Sequence, residues 1–66
     1  MWIVTKTGAR YEMPDMLPPH VDSMVKQLHN GDDRITLMNI SEAVMIIPLR
    51  IIKKAGVWER CFWEAK

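Results

Sequence analysis

Two histidines, one cysteine and a scatter of carboxylates are the groups in this chain suited to metal binding or acid–base chemistry, and their spacing argues against both. His20 and His29 stand nine residues apart. At about 100° per residue they point to opposite sides of any helix that carries both. Cys61 adds a third ligand type, but no Cys-x-x-Cys or His-x-x-x-His spacing supports a metal site. Asp32-Asp33 beside Gly31 lacks the Asp-x-Asp-x-Asp-Gly spacing of a calcium loop and reads as a hydrated turn. Asp15 and Asp22 have no surroundings that would tune an acid–base pair, and Ser23 and Ser41 have no nucleophile-elbow context. Cys61 lies beside Arg60 and among aromatics, a setting a reactive thiol can use. A lone cysteine on a strand is nevertheless expected to act as a small packed hydrophobe. The three glycines, at 8, 31 and 56, form no phosphate-binding loop. These residues imply no catalytic site, no cofactor and no metal; the chain is expected not to be an enzyme.

Recognition chemistry is better represented. Residues 1–33 carry three basic and five acidic groups, whereas residues 34–66 carry six basic and three acidic ones. In the second half Arg50, Lys53, Lys54 and Arg60 lie close in sequence to Trp58, Phe62 and Trp63. Basic side chains interleaved with aromatics can contact phosphates and stack bases. The competing reading makes the aromatics core and the basic groups a solvated face, which the net charge of +1 and pI near 7.9 favour. The chain also holds three tryptophans and six methionines. Methionine is frequent on adaptable binding surfaces, and tryptophan at binding hot spots. A protein-binding surface is therefore the first expectation, anchored by Trp58, Phe62 and Trp63 and oriented by Arg50 and Arg60. A nucleic-acid or nucleotide site built from Arg50, Lys53, Lys54 and Arg60 is the second.

These groups need a scaffold, and its elements can be read from periodicity. Trp2–Thr5 is aromatic and β-branched, as strands prefer. Gly8 supplies a turn, and the alternation of residues 9–13 places Ala9, Tyr11 and Met13 on one face of a second strand, making a hairpin. Pro14 ends it. Val21, Met24, Val25 and Leu28 follow at i, i+3, i+4 and i+7, predicting a helix over 19–29 that opens on Pro19 and closes at Asn30-Gly31. Asp22 then falls in the first turn, and Lys26 and His29 near the end, as the helix dipole prefers. Residues 34–40 read as a strand, and Ser41-Glu42 as a turn lacking glycine. Ala43–Ile47 is apolar on both faces, which predicts a central strand covered on both sides. Residues 49–55 admit either a short turn of 3₁₀ helix or an irregular strand, and the helical turn is preferred. Residues 57–63 form a final strand.

The order β-β-α-β-β-β predicts an α+β fold: a small, strongly curved antiparallel sheet, SH3-like or barrel-like, with one helix. Sixty-six residues suit a single domain, 1–66. A lone cysteine excludes an internal disulfide, and a hydrophobic share of 48% argues against disorder. No apolar run is long enough for a membrane span, and the first residues lack the pattern of a signal peptide, so a soluble, cytoplasmic protein is expected. So much apolar surface on so small a domain predicts self-association, as a homodimer through residues 57–63. In format the chain resembles the compact accessory proteins of bacteriophages and prophages. That resemblance implies a protein that binds and inhibits a host protein, a component of antiviral defence among them.

Overall fold

The computed structural model describes residues 1–66. Strand β1 (Trp2–Thr5) and strand β2 (Arg10–Glu12) form the expected first hairpin, with Ile3 opposite Tyr11. Gly8 takes the positive φ of 90° that its loop requires, and Thr5 closes the loop through its backbone and its hydroxyl. The apolar face of residues 9–13 is only partly buried: Met13 is buried, but Ala9 and Tyr11 are exposed. β2 lies at the sheet edge and is exposed throughout, and Met13, the residue after it, reaches the core.

Helix α1 (Pro18–Asn30) begins one residue earlier than the periodicity implies, so Asp22 lies beyond its first turn. No side chain caps its start. Pro18 and Pro19 have no N–H to satisfy, and the amides of His20 and Val21 both donate to the Leu17 carbonyl. A side-chain cap is therefore dispensable. Gly31, at φ 73° and ψ 33°, donates to the Leu28 carbonyl, and Asp32 donates to that of Gln27. That pair of bonds is the Schellman ending. Met24 and Leu28 are fully buried, and Val21 and Val25 half-buried. The helix rests chiefly on strand β3 (Arg34–Met38) and touches the last strand.

β3 pairs with β4 (Val44–Pro48) as a separate two-stranded sheet. The turn between them manages without glycine. Glu42 adopts a φ of 61°, and the Asn39 side-chain oxygen accepts from the amides of Ser41 and Ala43. The strand at 43–47 is not central, contrary to the expectation from its apolar run. β4 has β3 as its one neighbour, and while Ile47 is buried, Val44 and Ile46 are 51% and 58% exposed. The run is apolar on both faces, but the core covers only one.

Of residues 49–55, Leu49–Ile51 makes the preferred 3₁₀ turn, but from Ile52 the strand alternative holds: β5 (Ile52–Val57) runs back through a tight loop into β6 (Arg60–Glu64). Residues 52–64 are thus a hairpin, where one strand at 57–63 was expected. β5 inserts Lys53 as an extra residue against β1, so Ile52 and Ala55, three positions apart, both face the core. That bulge hides the alternation from a sequence reading. The four-stranded sheet has the order β2-β1-β5-β6, with all neighbours antiparallel.

The fold is α+β with two antiparallel sheets, and neither closes into a barrel. One apolar cluster joins them: Ile3, Ile52 and Ala55 from the larger sheet, Met24 and Leu28 from α1, and Ile35, Leu37 and Ile47 from the β3–β4 ribbon, with Met13 beside them. No helix is long and apolar enough to cross a membrane.

Candidate functional site at the Trp58 turn

Val57 pairs with Arg60, which leaves Trp58-Glu59 as a two-residue loop between β5 and β6. Such loops need a positive φ, and glycine, asparagine or aspartate ordinarily supplies it. Here Trp58 adopts φ 56°. A bulky side chain in that region is a backbone outlier costing on the order of 1–3 kcal/mol. Its indole gains little from the fold in return, since Trp58 is 88% exposed.

The turn is held from below by a second tryptophan. Trp2 points away from the main core, yet it is only 7% exposed. Its Nε1 donates to the Trp58 carbonyl at 2.5 Å. The ring lies against Gly56, where a Cβ would collide with it and with the Arg60 carbonyl. On the other side the Arg10 guanidinium sits 5.1 Å from the ring centroid, in cation–π range, and its Nε donates to Glu12 at 3.0 Å. Glycine is thus required at 56 for Trp2 to pack, and Trp2 fixes the backbone that carries Trp58.

Trp58 separates two grooves. One is lined by Met1, Trp2, Pro14, Met16 and Val21, with Arg10 and Glu12 at its rim. The other is open and mainly apolar, formed by Val25 of α1 with Val57, Glu59, Arg60 and Phe62. The structure brings Trp58, Phe62 and Arg60 to this second groove. Trp63 lies opposite Ala55 and packs half-buried against the core, so it supports the hairpin from inside. Arg50 is not part of the group. It stands on the 3₁₀ turn at the far end of β5, near Asp32, Asp33 and Arg34. The length of β5 puts roughly 16 Å between the two ends.

The basic residues are dispersed in the same way. Lys53 and Lys54 lie midway along β5, and Lys54 is opposite Glu64. Arg50 and Arg60 mark its two ends. Cys61, expected to be a packed hydrophobe, is exposed; its thiol donates to the Trp63 carbonyl at 3.4 Å. Cys61 is opposite Gly56, in line with Trp2, and so falls on the sheet face turned away from the main core. His20 Nδ1 is buried without a hydrogen-bond partner at the start of α1, and no three His, Cys, Asp or Glu side chains converge anywhere.

Sequence reasoning missed Trp2, Val25 and Gly56 as parts of this site. Gly56 two residues before a tryptophan was the available signal, since an interior strand glycine often marks the close approach of another group. Comparison with protein-family models, curated proteins and solved structures finds no match for the chain.

Proposed function

We propose that this chain is a small non-enzymatic protein-binding module that seats the Trp58 turn on a partner. The observation that carries the reading is the pairing of 88% exposure with a φ of 56° at one tryptophan. Strained backbone clusters at functional sites, and tryptophan and arginine dominate binding hot spots. Because the loop is short and its carbonyl is tied to Trp2, little backbone freedom remains to be lost on docking, which favours affinity. Trp58 is the anchor, Phe62, Val25 and Val57 are the apolar floor beside it, and Glu59 and Arg60 orient the partner from the rim. The format of the chain supports a host protein as that partner, met in the cytoplasm and inhibited by occupation of its surface.

The alternative is a nucleic-acid or nucleotide site on Arg50, Lys53, Lys54 and Arg60. It draws less support, because these groups are spread over the 3₁₀ turn, β5 and β6, and Lys54 is the register partner of Glu64. Capture from a lysate of the source cells on immobilised protein separates the two. The protein reading expects a captured protein that survives nuclease and high salt and is lost with Trp58→Ala. Capture that disappears with nuclease, or falls steeply with salt, points to phosphate contacts and overturns the reading.

A further inference from the structure

The β3–β4 ribbon has two edges, and the fold treats them differently. On β3, Thr36 directs its backbone away from β4, where the Gln27 side-chain amide meets both groups. Gln27 Oε1 accepts from the Thr36 amide at 2.8 Å, and Gln27 Nε2 donates to the Thr36 carbonyl at 3.1 Å. A glutamine thus acts as the neighbouring strand. Opposed residues in an antiparallel pair either exchange bonds or both point outward. Thr36 is opposite Ile46, so Ile46 points its N–H and C=O outward too, as does Val44 two residues away. No helix, strand or side chain meets them.

Unprotected edges recruit other chains, and native proteins blunt them with charge, bulges, proline or short length. β2 is three residues long and carries Arg10 and Glu12. β6 is irregular in register and exposes Arg60 and Glu64. β4 carries one such device, Pro48 at its end; before it no residue from Ala43 to Ile47 is charged, the register against β3 is unbroken, and Val44 and Ile46 are exposed. The whole chain exposes 4716 Å², against ~4,300 Å² for a monomer of its mass.

We propose that β4 pairs with β4 of a second copy, antiparallel about a two-fold axis, with Val44 opposite Ile46 of that copy. Pro48 selects the register. Centring the pair on Ile46 would place Val44 opposite Pro48, which has no N–H, and the Val44 carbonyl would lack a donor. Centring on Met45 satisfies every outward donor and acceptor of Val44 and Ile46 in both chains. The side chains of Val44 and Ile46 then meet across the axis, next to the exposed Met38, which is opposite Val44 on β3. Antiparallel pairing also brings Glu42, before the strand, alongside the end that carries Arg34 and Arg50. A two-stranded ribbon, marginal by itself, becomes a four-stranded sheet. This surface shares no residue with the Trp58 turn, and it replaces the pairing through 57–63 expected from sequence.

Two measurements on the full chain test it. Light scattering across micromolar to millimolar concentrations is expected to approach twice 7.7 kDa, and Ile46→Lys, at an exposed position, to return it to the monomer. Hydrogen exchange of the wild type is expected to slow by about tenfold or more at the Val44 and Ile46 amides as concentration rises. The Met45 and Ile47 amides, bonded to β3, should be protected throughout. A monomer over the whole range overturns the proposal. So does a dimer that survives Ile46→Lys and dissociates with Trp63→Ala. If Ile46→Lys fails to fold, concentration-independent fast exchange at Val44 and Ile46 still refutes it.

Discussion

The indole of Trp2 occupies the space that a side chain at Gly56 would fill. The two residues are cross-strand partners on β1 and β5, and the absence of one side chain is the condition for the burial of the other. Through the Trp2–Trp58 hydrogen bond, this small apolar site away from the main core sets the conformation of the exposed turn.

Gly56→Ala is therefore expected to cost about 2 kcal/mol or more, since the methyl group meets backbone on one side and the ring on the other. Urea unfolding measures the loss, and the tryptophan emission of the variant should shift to the red as Trp2 is displaced.

Leu28→Ala removes a fully buried side chain from the centre of the cluster. A loss of about 2–5 kcal/mol is expected, a large part of the stability of a chain this size. Val25→Ala, at a half-buried position beside the Trp58 groove, should cost less than about 1 kcal/mol. Equal losses at the two sites would contradict the packing described for α1.

Gln27 has a different kind of effect. Gln27→Ala strips the side-chain partner from both backbone groups of Thr36, with an expected cost near 1 kcal/mol because water can replace them at this exposed position. The Thr36 amide should exchange faster, while the Leu37 amide, bonded to β4, should not. Gln27→Glu keeps the acceptor and loses the donor, so the Thr36 amide should retain its protection.

The elements that a local signal specifies were readable from the chain. The α1 stripe, its Gly31 ending, the first hairpin and the 3₁₀ turn all follow from spacing and from the conformational limits of proline and glycine. Two things were not. The Lys53 bulge breaks the alternation of β5, and Trp58 occupies a turn position normally marked by glycine, so 52–64 did not read as a hairpin. Which face of an apolar strand is covered depends on where the single helix lies, and no local pattern in Val44–Ile47 records that. The site was half visible for the same reason. Trp58, Phe62 and Arg60 meet because a tight turn joins them, whereas Arg50 is separated from them by the full length of a strand that the sequence did not reveal.

The fold holds Trp58 in the open at a cost to its own stability. The unfolding free energy of Trp58→Gly, measured by urea denaturation beside the wild type, tests it most directly. Glycine adopts positive φ without strain, and the indole it removes is 88% exposed. The variant is expected to be more stable by about 1 kcal/mol. A variant equal to or less stable than the wild type would mean that the indole supports the fold, and would contradict the account.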